Sequence, residues 1–139
     1  MAFLLDTVTL SELRKKQKAN PSVLAWQSAH PGPGYISVVS LNEIRFGIRK
    51  VWQSDKDFAE RLEVWYQDII SAKDLLIQVP VERAIAETAA DLRYDFRMGY
   101  DDALIGATAI ERGFSLATRN TSDFEGTGVV LINPWEFME

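Results

Sequence analysis

Five short apolar runs punctuate this chain: Ala2 to Leu5, Tyr35 to Val39, Leu75 to Val79, Phe114 to Thr118 and Val129 to Asn133. For most of its length they are separated by residues at helical spacing. Continuous apolar runs this short read as strands covered on both faces. Strands alternating with helices specify an α/β sandwich, a mainly parallel central sheet flanked by helices. Open sheets of that kind hold their ligands beyond the carboxyl ends of the strands. A polar residue that closely follows a strand therefore has a claim on function that the same residue elsewhere lacks.

The spacing and punctuation place the helices. TVTLSELRKKQKANP reads as helical, capped by Thr7 or Thr9 and stopped at Asn20-Pro21, and Ser22 starts a second, shorter helix. Ser40 with Glu43 three residues on fits a capping box before an apolar helix in which Leu41, Ile44, Ile48 and Val51 recur. From Asp55 to Lys73, Phe58, Leu62, Trp65 and Ile69 form one stripe against a charged face, the pattern of core packing. VERAIAETAADLRYDFRMG reads as a helix with Gly99 just past its end, and Gly113 closes the following one. Asp101 is expected to cap that last helix, leaving Asp102 in its first turn.

The stretch from Tyr100 to Gly126 puts carboxylates at both ends of a helix-strand unit, the Asp101–Asp102 pair before it and Asp123 in the polar turn after it. Asp6 ends the first strand and Glu43 follows the second. With 20 acidic residues in 139, each alone has an ordinary reading: a helix cap for Asp6, the capping box for Glu43, an Asx-type turn for Asp123. Should all four converge, their repulsion must be relieved by protonation or by a cation. Cysteine is absent and His30, in the turn-forming HPGPG, is the single imidazole. That excludes a disulfide framework and a thiolate zinc site, and argues against a histidine-based triad. An all-oxygen set selects a hard ion, Mg²⁺ or Mn²⁺, and fits metal-assisted phosphoryl hydrolysis with one ion or two.

Composition sets the remaining bounds. The length of 139 residues suits one domain spanning 1–139. No apolar run approaches the roughly 18 residues of a membrane span and MAFLLDT lacks the basic start of a signal peptide, while the absence of cysteine leans the chain to the cytoplasm. A net charge of −5 argues against binding nucleic acid by charge alone, so such a role needs a local basic patch or a bound cation.

Four segments carry a resemblance: LLDT (Leu4 to Thr7), SLNEIRFGI (Ser40 to Ile48), DALIGATA (Asp102 to Ala109) and TRNTSDFEGTGVVLINPW (Thr118 to Trp135). Together they are similar to the PIN domain, and within it to the VapC/FitB toxins of bacterial toxin-antitoxin modules. The resemblance implies a PIN fold and a Mg²⁺-dependent endoribonuclease hydrolysing RNA phosphodiester bonds, transfer RNA favoured over ribosomal RNA. It also implies a homodimer that a cognate antitoxin binds and blocks. Asp6, Glu43, Asp102 and Asp123 match the family's acids in order, Asp6 and Asp102 holding the ion directly and the other two completing the site. Thr7 and Asn120 match polar supports beside them. Arg45, Arg49, Arg97 and Arg119, with Lys50 and Arg93, are candidates for gripping the RNA backbone. A basic antitoxin arm fits an acidic pocket, and Leu10, Leu13, Leu24 and Trp26 offer either a groove for a partner helix or plain core. Two positions depart from the family: Gly106 stands where Ala is usual, and Asp101 adds a carboxylate. The alternative of the same fold is a catalytically silent protein- or RNA-binding module. A phosphatase of the haloacid-dehalogenase kind would need an Asp where Val8 stands, and a dinucleotide site would need a Gly-rich turn that DTVTLSE lacks.

Overall fold

The structure, a computed structural model, describes residues 1–139. Its strands are β1 (Phe3–Leu5), β2 (Gly34–Ser37), β3 (Leu76–Val79), β4 (Ser115–Ala117) and β5 (Val130–Ile132), joined in one sheet of order β3-β2-β1-β4-β5. Every pairing in it is parallel. The helices are α1 (Thr7–Leu13), α2 (Pro21–Ala29), α3 (Val38–Trp52), α4 (Lys56–Ser71), α5 (Arg83–Phe96) and α6 (Tyr100–Arg112), with 3₁₀ turns at Lys16–Lys18, Thr121–Phe124 and Pro134–Glu136. The α/β architecture expected from the alternation is the one observed, and no helix is long and apolar enough to cross a membrane.

β1 lies at the centre of the sheet and is buried on both faces. Successive strand side chains point to opposite sides. Phe3 and Leu5 accordingly join one core with Ile36, Trp26, Ile44, Ile48 and Ile69, while Leu4 joins the other with Val79, Ile105, Leu116, Phe124 and Val129. Asp6 follows immediately, so a central strand buried throughout is what fixes the first acid.

Several helix ends differ from their sequence reading. Neither Thr7 nor Thr9 caps α1: Asp6 does, its carboxylate accepting from the Thr9 N–H at 2.8 Å. The first helix ends at Leu13, well short of Pro21, and Lys16 takes a left-handed φ of 54° in the turn beyond it. Ser37, not Ser40, caps α3 by accepting from the Val39 N–H at 3.0 Å. β-branched Val38 and Val39, read as strand, are thus the first helical turn, and Ser40 lies buried inside it. The capping-box reading of Glu43 falls with that shift. Gly99 is the residue before α6 rather than the residue after α5, and Arg97 takes the left-handed position there with φ 55°. With Gly99 in the cap position, Asp101 caps nothing; both Asp101 and Asp102 sit in the first turn of α6, at its positive dipole end.

Gly106 has a packing reason. It is buried in the middle of α6, where glycine costs about 1 kcal/mol relative to alanine. A β-carbon there would stand 3.2 Å from Cε1 of Phe124 and 3.4 Å from Cγ2 of Val129. Phe124 is itself 4 % exposed and follows Asp123 on the same 3₁₀ turn. The missing methyl lets that turn seat against the helix bearing Asp102. Gly106→Val is therefore expected to destabilise the protein by about 1–3 kcal/mol through overpacking, read as a lower denaturant midpoint at unchanged m-value. An unchanged midpoint would mean that the Phe124 ring yields freely.

Candidate active site

The carboxyl ends of β1 and β4 are tied together by one carbonyl. Leu5 pairs with Ala117, and the Ala117 oxygen accepts from the Asp6 N–H at 3.3 Å and from the hydroxyl of fully buried Thr9 at 2.9 Å. Beyond β4, Thr118 is also fully buried and its hydroxyl accepts from the Asn120 N–H at 3.1 Å, bending the chain into the 3₁₀ turn that presents Asp123. Asp6 and Asp123 are thereby delivered to the same edge of the sheet.

Glu43 reaches that edge from α3. Instead of capping its own helix, it accepts a hydrogen bond from the Thr7 hydroxyl at 2.8 Å, which links α3 to the first turn of α1. Burial raises the Glu43 pKa; the Thr7 bond opposes this, and the negative charges of Asp101, Asp102 and Asp6 add to it. Asp102 is raised too, first by burial of its carboxyl and then by the charges of Asp123, Asp6 and Asp101. As a whole residue Asp102 is exposed, so its carboxyl faces protein on one side and solvent on the other.

These influences map the cluster. Asp6 acts on both raised groups, Asp123 acts on Asp102, and Asp101 acts on Glu43 more strongly than Asp102 does. A recess of about 280 Å³, lined by Phe96, Arg97, Met98, Gly99, Asp102 and Asp123, opens beside them. The side chains as they lie bring no three carboxylates into a closed ligand set. The donor set nonetheless suits a hard cation: it is all oxygen, partly desolvated and self-repelling. A loosely drawn set also suits Mg²⁺, which retains several waters and binds through one or two carboxylates.

The basic candidates divide. Arg45 is ion-paired with Glu63 and lies over the Tyr66 ring at 5.2 Å, so it ties α3 to α4. Arg119 lies over Trp135 at 5.3 Å, Lys50 over Phe46 at 5.7 Å and Arg93 over Tyr100 at 4.7 Å. Arg49 is exposed on α3, and Arg97 alone among them lines the recess. His30 donates its Nδ1–H to the Trp26 carbonyl at 2.7 Å and packs edge-on against Phe3.

Residues 3–129 match the PIN domain family. The chain belongs to it. A VapC ribonuclease of Sinorhizobium fredii, Y4jK, is 34% identical over 138 residues, covering 96% of this chain and 98% of the relative. Among solved structures, FitAcB from Neisseria gonorrhoeae shares the fold with a TM-score of 0.79 at 24% identity, over 97% of this chain and 99% of that one. A toxin-antitoxin complex from Klebsiella pneumoniae is similar with a TM-score of 0.69 and 26% identity, over 99% of this chain and 100% of that one.

Sequence reasoning missed the recess wall of this PIN domain. Phe96 ends α5, and Met98 and Gly99 follow it in the α5–α6 connection, which reads as a helix end and contains no acid. The signal available was DFRMGYDD itself, where aromatic and basic residues run directly into the acidic pair. Ser40, buried one turn before Glu43 with a hydroxyl lacking any partner, was likewise read only as a cap.

The raised Glu43 pKa has a consequence for stability. A carboxyl whose folded pKa lies above its unfolded value stabilises the fold below the unfolded pKa, and that contribution is lost as pH rises through the folded value. Glu43→Gln keeps an oxygen for Thr7 and carries no charge. In EDTA it is expected to melt above the parent protein near neutral pH, the difference shrinking as pH falls through the raised folded value and gone below about pH 4, where the glutamate is protonated in folded and unfolded chains alike. Thermal melts across that range check this, and a substitution that destabilises more at neutral than at acid pH would contradict it.

Proposed function

We propose that this PIN domain is a Mg²⁺-dependent endoribonuclease and the toxin of a type II toxin-antitoxin pair. The observation carrying the reading is the gathering of Asp6, Glu43, Asp101, Asp102 and Asp123 at the carboxyl edge of the sheet, where burial first and neighbouring carboxylates second raise the pKa of Glu43 and Asp102. The similarity to a VapC ribonuclease supports the nuclease assignment and the toxin-antitoxin complex supports the partnership.

Asp6 and Asp102 are the residues that hold the ion. One Asp6 oxygen is occupied by the Thr9 N–H, which leaves the other for the cation and fixes its direction. Glu43, oriented by the Thr7 hydroxyl, and Asp123, set by the turn after Asn120, complete the site, with Asp101 closing the side towards Glu43. Mg²⁺ supplies charge neutralisation at the phosphodiester and a more acidic attacking water. Arg97 on the recess wall, with Arg49 and Arg119 further out, draws the RNA backbone; Arg45, already paired to Glu63, acts by holding α3 in place. Transfer RNA is the favoured substrate, in the cytoplasm, with the protein working as a homodimer.

The antitoxin has a seat. A cavity of about 520 Å³, larger than the acidic recess and mostly apolar, is lined by Leu5, Leu10, Leu13, Trp26, Trp65 and Ile69 among others. Leu10, Leu13 and Trp26, singled out in sequence, all face it. It holds no acidic cluster, so its size marks a place for an amphipathic partner segment, not chemistry.

Incubation of the pure protein with total RNA and Mg²⁺ should give cleavage that EDTA abolishes. Asp6→Asn and Asp102→Asn should each lower it by about a hundredfold or more. Asn can still cap α1, so Asp6→Asn is expected to stay near parental stability, whereas Asp6→Ala should lose about 1 kcal/mol in addition to activity. Cleavage that survives in both Asn variants would sink the assignment; no cleavage with any divalent metal would favour the silent binding module.

A further inference from the structure

We propose that the apolar cavity takes an amphipathic helix with one acidic flank, and that Arg14, Lys16 and Lys18, on the turn between α1 and α2, recognise that flank. The proposal rests on the partner seat described above and adds to it the charge of the segment and the residues that choose among candidate segments.

The cavity opens between elements that are otherwise packed. Phe3 and Leu5 of β1 line it together with Leu13 of α1, Trp26 of α2, and Trp65 and Ile69 of α4. One strand and three helices thus turn large apolar side chains towards the same space. A helix fills an apolar groove through residues at i, i+3, i+4 and i+7, which commits one side of the partner and leaves its flanks to be read by charge.

The charge at this place runs against that of the whole chain. Four of the 15 lysines and arginines, Arg14, Lys15, Lys16 and Lys18, fall within five residues of a protein whose net charge is −5. Lys15 is already paired with Glu12 at 3.0 Å, whereas Lys16 and Lys18 are exposed and make no ion pair. Arg14 and Lys16 both line the cavity, and the Arg14 guanidinium lies 5.5 Å from the centre of the Phe58 ring on α4. Lys16 holds a left-handed φ of 54°, a conformation that glycine takes without strain; lysine there keeps a cation at the cavity's edge. Asp68 on α4 is the one carboxylate in the lining. The cavity is therefore positive along the α1–α2 turn and negative on α4, and a helix with Glu on one flank and Lys or Gln on the other complements it. A helix basic on both flanks meets like charge at Arg14 and Lys16, and a phosphate strand leaves the apolar lining uncovered.

The test selects binders of the native protein from a displayed library of amphipathic helices of about 18 residues, with leucines at that spacing and flank positions drawn from Glu, Gln and Lys. Selection should enrich Glu on one flank. The winning helix, made synthetically with a fluorophore, should bind by anisotropy about three- to thirtyfold more tightly than its counterpart with Lys on that flank, and about 0.5 M salt should shrink the difference. Lys16→Glu combined with Lys18→Glu should reverse the preference and leave a Gln-flanked helix within about twofold of its parental affinity. Both lysines are exposed, so the fold is expected to survive the double change, and a thermal melt checks it. Binders without a flank preference, a preference that outlasts the double reversal, or a library without binders each overturn the proposal. So does self-association, seen by light scattering, that the double reversal abolishes, because the cavity then belongs to a second copy of the chain. RNA cleavage by the native protein, assayed alongside, separates this from the reading beneath it. Cleavage with indifferent flanks sinks the charge recognition alone, and a Glu preference with no cleavage in any divalent metal sinks the nuclease reading alone.

Discussion

Like charges brought to one edge of a parallel sheet repel one another, and the rest of this structure can be understood as what holds them there. Burial of the Glu43 and Asp102 carboxyls, and the neighbouring charges of Asp6 and Asp101, act against ionisation of both, and Asp123 adds to this at Asp102. A cluster of that kind persists only when the backbone beneath it is over-determined. Here the over-determination comes from the central strand β1, buried on both faces, and from the Ala117 carbonyl that binds both Asp6 and Thr9. Stability is given up locally at the edge and recovered in the two cores on either side of the sheet.

The same economy recurs residue by residue. Asp6 is at once a helix cap and a candidate ligand, because a carboxylate has two oxygens and only one is needed to satisfy the orphan N–H of α1. Thr7 gives its hydroxyl to Glu43, and so couples α1 to α3 through an acid carried by a helix and not by a strand end. Gly106 gives up helix propensity to admit Phe124, and with it the turn carrying Asp123. In each case a residue that looks unremarkable or unfavourable in its own element is placed for the sake of a neighbouring one.

That distinction explains what could be read from the sequence. Strands and long helices announce themselves by apolar period, so the sheet, the stripes on α3 and α4 and the strand-end position of Asp6 were legible. Caps were less so. The choice between Ser37 and Ser40 turns on whether Val38 and Val39 extend the strand or open the helix, and β-branched residues argue for the former until burial on the helix face outweighs propensity. Glu43 illustrates the cost of that ambiguity: a one-turn shift removes its local partner and sends it 36 positions back to Thr7, a pairing that spacing alone could not suggest. Arg97 is a parallel case. Its left-handed backbone, normally reserved for glycine, turns α5 into α6 and is invisible in composition.

Charge, finally, reads differently at two scales. The net charge of −5 counts against an affinity for RNA, and over the whole surface that argument stands. Locally it is incomplete, because the acids concentrate at one edge, where the proposed cation would offset their charge, and Arg97 lines the recess beside them. Such a site would attract little phosphate on its own and would bind it only with the proposed ion in place. An acidic protein can in this way handle a polyanion selectively, since the long-range attraction that makes basic proteins bind any nucleic acid is absent and short-range contacts must supply the difference.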